Sequence, residues 1–314
     1  MRSICTSLLA LCCLLPIGLL RAQAPQNPCA DAAHYVPVPP EHWPVKRLRV
    51  VAHIIVPPDT TALIPDTVDG RYKYMGLTSD ASVKYRQLQP MHLPTSSALI
   101  PDGRVAFELR YEHVLYHARP NWDFSIHTTL SQRVRAVRQL HQELVLNNPA
   151  CPHPNDALHV FFVERSNASA RRQFEGVASG IASKDWVLML DAWHDISKGG
   201  WPSGLLAHEF GHNLGLHHTT SKQGPVNDYC DDTPTHPVNT DCWDAPGCSN
   251  NIMDYNVFHN ALTACQLGRI HAALAGQVGN IHEAVIPDWC SYDSSATIYI
   301  ARDSTYDWRG ERQS

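Results

Sequence analysis

The segment Leu206-Ala207-His208-Glu209-Phe210-Gly211-His212-Asn213-Leu214-Gly215-Leu216-His217-His218 places three histidines and a glutamate at spacings with a chemical meaning. Residues four apart on an α-helix stand one above the other, so His208 and His212 aim both imidazoles at a single point. Gly215 can adopt the left-handed conformation that ends a helix, and the chain then turns so that His218 reaches back as a third ligand. Three protein ligands leave one position of a tetrahedral zinc open to water, the catalytic arrangement, whereas structural zinc is closed by four ligands rich in Cys. Glu209 points about 100° around the helix from His208 and so lies beside the metal, placed to take a proton from water as general base. Zn2+ on His208, His212 and His218, with metal-assisted hydrolysis as the reaction class, is the expectation. The bland alternative, surface histidines on an amphipathic helix, would need five residues to coincide in type and spacing, far rarer than a bare H-E-x-x-H. His217 is off the spacing and reads as a neighbour of the site, with replacement of His218 as its alternative role.

A helix carrying such a motif needs a sheet behind it. Arg47 to Val56 is β-branched and bounded by Pro57-Pro58, which predicts a buried strand. Val105 to Tyr116 alternates apolar and polar residues as a strand does, and Thr129 to Leu146, with Leu130, Val134, Val137, Leu140 and Leu144 on one face, has helix spacing. Leu158 to Val163 and Trp186 to Leu190 are short apolar strands, with Gly176 to Ala182 between them as an edge strand. The motif helix begins at Ser203. Between 59 and 102 the only helical signal is a weak stretch near Ser82 to Met91. The fold class that results is α/β, a twisted mixed sheet with a backing helix and an active-site helix.

The chain has 314 residues, 44% hydrophobic and 18% charged, a composition that excludes a wholly disordered chain. A formal net charge of −5 and the lack of a long Lys/Arg run leave no electrostatic footprint for nucleic acid. Residues 1–24 hold an apolar run from Ile4 to Leu20 ending in Ala22-Gln23-Ala24, the layout of a cleavable signal peptide, with a retained membrane anchor as the rival reading. The predicted organisation is a signal peptide at 1–24, a Pro-rich lead-in or short pro-segment at 25–45, a catalytic domain at 46–286 divided near 218/219, and a tail at 287–314. A secreted or periplasmic protein without a membrane anchor is expected. Cys5, Cys12 and Cys13 leave with the leader, and seven cysteines remain. Four of them, Cys230, Cys242, Cys248 and Cys265, crowd the segment after the histidines, where export favours disulfides.

The long histidine motif resembles that of the metzincin metallopeptidases, and Asn250-Asn251-Ile252-Met253-Asp254-Tyr255, with Met253 thirty-five residues after His218, resembles their Met-turn. The resemblance implies that Met253 packs as an apolar base beneath the metal and that Tyr255 donates a hydrogen bond to the developing oxyanion. Gly215-Leu216, Asp231-Asp232-Thr233-Pro234 and Cys265-Gln266-Leu267-Gly268-Arg269-Ile270 are similar to the pappalysin-like group in particular, strongly from about 203 to 275. That group implies a loop-rich C-terminal subdomain stapled by Cys230–Cys248 and Cys242–Cys265, and structural Ca2+ on Asp228, Asp231 and Asp232, for which a solvated acidic loop is the alternative. Some metzincins are kept latent by a cysteine from an N-terminal segment, and Cys29 stands where such a switch would, unless it joins Cys151 or Cys290 in a disulfide. The activity implied is a zinc endopeptidase whose peptide substrate lies extended along the edge strand. A zinc-bound binding or structural module without proteolysis is the alternative.

Overall fold

The computed structural model describes residues 45–56, 64–93, 100–119, 129–163, 180–183, 185–193, 201–220, 227–233, 249–255, 258–277 and 279–287. The leader, the lead-in with Cys29, Cys242, Cys248, Cys290 and most of the tail lie outside these residues. Among those described, no helix is long and apolar enough to cross a membrane.

The elements run β1 (Lys46–Val56), α1 (Val68–Arg86), β2 (Val105–Ala118), α2 (Leu130–His141), β3 (Leu158–Val163), β4 (Gly180–Ser183), β5 (Trp186–Leu190), α3 (Trp201–Asn213), α4 (Ala264–Leu274) and β6 (Val285–Ile286). The sheet has the order β2-β1-β3-β5-β4, and β6 pairs with the start of β1. β1, β2, β3 and β5 are parallel, and β4 runs antiparallel to β5 at the edge. This is the mixed α/β architecture that the sequence predicts, with β1 to β5 each within a few residues of its expected position, while β6 was not expected.

Both faces of the sheet are covered, as a largely parallel sheet requires. Leu48, Val50, Ala52 and Ile54 of β1 and Val160 and Phe162 of β3 join Tyr74, Leu77, Ala81 and Tyr85 of α1 and Leu206, Ala207 and Phe210 of α3 in one core. Ile55, Phe161, Val163 and Leu188 face the other way and pack on Ala136, Val137, Leu140 and Val145. α2 therefore backs the sheet on the side opposite α3. Thr129 and Gln132 form a capping box at its start, and after His141 it passes into a π turn at Gln142–Leu146.

α1 corrects the reading of residues 59–102: a helix of 19 residues occupies Val68–Arg86, not a weak stretch near Ser82 to Met91. Its buried stripe includes Gly70, Thr78 and Ser82, which carry little apolar signal. Thr78 Oγ1 donates to the Tyr74 carbonyl at 3.0 Å and Ser82 Oγ to the Thr78 carbonyl at 3.1 Å, so the hydroxyls are satisfied inside the helix and can be buried.

The disulfide pairing is also corrected. Cys230 is bonded to Cys265, with Cα atoms 5.6 Å apart, which excludes both Cys230–Cys248 and Cys242–Cys265 because each needs one of these sulfurs. The Asp232 carboxylate accepts from the Cys265 backbone N–H at 3.0 Å, docking the loop onto the first turn of α4 and carrying Cys230 there with it. Cys151 is a buried free thiol, and Cys29 and Cys290 lie outside the described residues. Non-reducing peptide mapping should recover the Cys230–Cys265 pair. With a sequence separation of 35 between the two cysteines, Cys265→Ser should cost ~3–4 kcal/mol in chemical unfolding, and an unchanged midpoint would contradict a stapling role.

Burial holds several histidines neutral, lowering His117 to about 4, His159 to about 3 and His271 to about 4. The unfolded chain protonates these groups below about pH 6.5 and the folded chain only near the lower values. Stability should be complete above that pH and fall as pH drops from about 6.5 toward 4, each histidine contributing up to about 2 kcal/mol by pH 5. A melting temperature that stays flat between about pH 7.5 and pH 5 would contradict buried neutral imidazoles.

Candidate metal centre

α3 ends at Asn213, and Gly215 follows with φ of +83°, a value that favours glycine. The Leu216 N–H bonds the Gly211 carbonyl at 2.9 Å and the Gly215 N–H bonds the His212 carbonyl at 3.0 Å, the paired closure of a Schellman cap. Arg269 of α4 donates to the Gly215 carbonyl at 2.9 Å and fixes the turn from outside. The reversed chain brings His218 beside the helix, as the glycine spacing predicts.

His218 Nε2 lies 3.0 Å from His208 Nε2 and 3.0 Å from His212 Nε2. The opposite nitrogens decide what these contacts are. His208 Nδ1 is 2.7 Å from the Ile252 carbonyl and His212 Nδ1 is 3.0 Å from the Leu216 carbonyl, and carbonyls only accept, so both Nδ1 atoms carry the hydrogen. His218 Nδ1 meets Tyr255 Oη at 3.1 Å and donates to it in the matching tautomer. All three Nε2 atoms then present lone pairs to one point. Neutral imidazoles are also what burial enforces: His208 is held well below its ordinary range and His218 at about 4, desolvation being the main cause in each. Three converging neutral nitrogens fit one borderline divalent ion such as zinc, with outer carbonyls orienting the rings.

Glu209 is buried, and burial pushes its carboxyl up to about 8. Its carboxylate lies against the backbone of Gly180 in the edge strand β4, so closely that a Cβ at position 180 would overlap it. The acid is therefore held between the motif helix and the strand where an extended chain could add. The sequence pointed to that strand but not to Gly180 as the residue that admits the carboxylate.

Met253 is fully buried and sits under Gly211, where any side chain on the helix would collide with its sulfur. The Met-turn is shaped by Asn251, whose Oδ1 accepts from the Met253 N–H at 2.8 Å and whose amide pairs with Gln266 of α4 at 2.7 and 3.2 Å. Gln266 also completes the α4 capping box with Thr263, so one side chain starts the helix and anchors the turn. Tyr85 of α1 donates to the Ala207 carbonyl at 2.7 Å, one residue before the motif. Sequence reading missed the role of Tyr85 because only the last residues of α1 were read as helical, and missed the positioning role of Gln266 because its partner is remote in the chain.

Tyr255 thus touches a ring of the histidine cluster, while Met253 lies beneath. His217 packs its ring on Tyr229 at 5.1 Å and points away from the cluster. His259 is buried behind His208, its ring 5.6 Å away and its Nε2 on the Asp254 carbonyl at 3.1 Å. Asp228, Asp231 and Asp232 do not gather as one ligand set. Asp228 accepts from Thr233 Oγ1 at 2.6 Å and from the Cys230 N–H at 3.2 Å, and Asp232 accepts from Cys265, so these carboxylates shape the loop and helix start.

Residues 194–275 match the family model described as Pregnancy-associated plasma protein-A, a peptidase family. Among solved structures the chain is similar to mature mirolysin of Tannerella forsythia in complex with a cleaved peptide, at 17% identity and a TM-score of 0.49, over 76% of this chain and 95% of that one. It is similar also to mirolysin in complex with a compound numbered 9, at 15% identity and a TM-score of 0.46, over 78% of this chain and 97% of that one. No curated protein matches the chain significantly. The family match spans the converging histidines, the left-handed glycine and the buried methionine, so over residues 194–275 the chain is similar to that peptidase family in both sequence and the arrangement of its histidines.

Proposed function

We propose that the protein is an exported zinc endopeptidase in which His208, His212 and His218 hold the metal and Glu209 is the general base. The observation that carries this reading is the convergence of three Nε2 lone pairs, that of His218 at 3.0 Å from those of both His208 and His212, with a buried carboxylate one residue along the same helix. Zinc, when bound, supplies Lewis-acid polarisation of a water and of the substrate carbonyl. Glu209 accepts the proton of the attacking water at its carboxylate and returns it to the leaving amine. The divalent charge opposes the upward shift that burial gives Glu209 and keeps it ionised for the first of these transfers. Tyr255 holds His218 through its hydroxyl oxygen and is close enough to the histidines to hydrogen-bond an oxyanion as it forms.

The peptide lies extended along β4, whose outer edge is unpaired among the described residues, and adds to the sheet by main-chain hydrogen bonds. Gly180 in that strand keeps the path to Glu209 open. Export is supported by the apolar leader ending in Ala22-Gln23-Ala24 and by a disulfide after the active-site helix.

Purified protein should carry zinc on this site, and thorough chelation should abolish peptide hydrolysis, with recovery on adding zinc back. Full activity in a chelated sample would sink the proposal. Glu209→Ala should keep that zinc and lose at least about a thousandfold in kcat, since it removes proton transfer and not a ligand. Parallel loss of zinc would show that Glu209 had been given the wrong role. Tyr255→Phe separates its two tasks: loss of the His218 contact should weaken zinc binding about 10- to 100-fold in a chelator competition. A fall in kcat with zinc affinity intact would assign Tyr255 to the oxyanion alone.

A further inference from the structure

The face of the sheet away from α3 is apolar at Ile55, Phe161, Val163 and Leu188, yet it is interrupted by a patch of histidines. His53 of β1 and His159 of β3 are both fully buried there, and His141 at the end of α2 is 7% exposed. In register His53 lies opposite Phe161 and His159 opposite Val51, so the two imidazoles project on one face, two positions apart. A buried imidazole gives up its hydration and must find partners for both nitrogens, which makes three at core positions costly unless they do something together.

Their contacts repeat the pattern of the active site. His159 Nε2 lies 3.2 Å from the His153 carbonyl, which only accepts, so that nitrogen holds the hydrogen and Nδ1 presents a lone pair. Nδ1 faces His53 Nε2 at 3.0 Å, the same separation as between the catalytic nitrogens. The other nitrogen of His53 meets His117 Nε2 of β2 at 3.0 Å, so an outer partner stands behind this ring as well. Cys151, a buried free thiol in the connection from α2 to β3, brings its sulfur into the group, and one nitrogen from each histidine and the sulfur all lie within 4.8 Å of one another. The sulfur's nearest polar contact is a long one, the Pro152 carbonyl at 3.6 Å. His141 meets the His159 ring edge-on at 5.6 Å, and its buried Nε2 makes no hydrogen bond, the nearest acid being Asp185 at 3.6 Å.

We propose that His53, His159 and Cys151 form a second metal site, for zinc or a similarly thiophilic ion, on the face of the sheet opposite the catalytic centre. Two imidazoles and a thiolate are a borderline-to-soft donor set, which zinc accepts and calcium or magnesium does not. Tetrahedral bond lengths put such ligand atoms about 3.3–3.6 Å apart, so Cys151 has at most about 1.2 Å to close. The His153 carbonyl and the His117 ring orient the two imidazoles, as outer partners do in metal sites generally. Binding replaces the thiol hydrogen of Cys151 with the metal and releases one proton to solvent; burial, which raises this thiol to about 11, is what the metal charge offsets. With β1, β3 and the α2–β3 connection each supplying a ligand, the ion would tie the backing layer to the sheet.

Cobalt reads the two sites separately, because a thiolate ligand gives an intense near-ultraviolet charge-transfer band that a three-histidine site lacks. The full exported chain carrying His208→Gln and His212→Gln, loaded with cobalt and dialysed, should retain one metal per chain and show the band. Adding Cys151→Ser should remove the band and lower retained cobalt at least about tenfold. Wild-type protein should hold two equivalents by elemental analysis. No retained metal in the His208→Gln/His212→Gln chain, or a band undiminished by Cys151→Ser, overturns the proposal. If Cys151→Ser does not fold, X-ray absorption at the cobalt edge of the His208→Gln/His212→Gln chain decides instead: one sulfur scatterer with at least two imidazoles supports the site, and a shell of nitrogen and oxygen alone overturns it. No arm reads peptidase activity, so failure here is separable from failure of the catalytic assignment.

Discussion

The Nε2 lone pairs of His208 and His212, each 3.0 Å from that of His218, repel it unless a cation lies between them, and most of this half of the fold serves to hold them there. Each ring is turned by its far nitrogen. Those of His208 and His212 bind carbonyls in two different turns, and that of His218 binds Tyr255. The geometry therefore depends on the placement of Ile252, Leu216 and Tyr255, none of which is a ligand. A helix alone could supply His208 and His212, but neither their tautomers nor the third nitrogen.

Those carbonyls are fixed in turn by contacts that cross the molecule. Gly215 turns the chain, and Arg269 of α4 holds the turn's carbonyl. Asn251 and Gln266 lock the Met-turn to the start of α4, which the Cys230–Cys265 disulfide ties to the preceding loop. α1 braces the motif helix through Tyr85. Buried polar side chains are costly to leave unpaired, so this network has few alternative arrangements. Close approach is then decided by glycine: Gly211 admits Met253 beneath the histidines and Gly180 admits Glu209 beside the edge strand.

The sheet separates two chemically different histidine groups. On one side the residues come from a single helix and its following turn, and the face is completed by apolar packing from α1 and α3. On the other side the donors come from β1, β3 and the loop after α2, with the remaining surface packed by Val137, Leu140 and Val145. Both groups are neutral because burial disfavours the charged ring, and both carry outer hydrogen-bond partners that set which nitrogen faces inward.

By itself the sequence determined what is local. The i, i+4 pair His208 and His212, the glutamate between them, Gly215 and His218 fall within eleven residues, so helix geometry and one turn are enough to read a metal site from them. The strands β1, β2, β3 and β5 were legible for a similar reason, since alternation and β-branched runs report burial on a sheet directly. Tertiary structure decided what depends on residues far apart. Most of α1 escaped notice because Thr78 and Ser82, buried by bonding to their own helix, look polar in a sequence. The Cys230–Cys265 pair was hidden because four cysteines in one segment allow several pairings, and the choice among them is made by how the loop docks on α4, where Asp232 accepts from the Cys265 N–H. His53, Cys151 and His159 carry no motif: His53 and His159 are 106 positions apart, and it is strand register that sets them side by side.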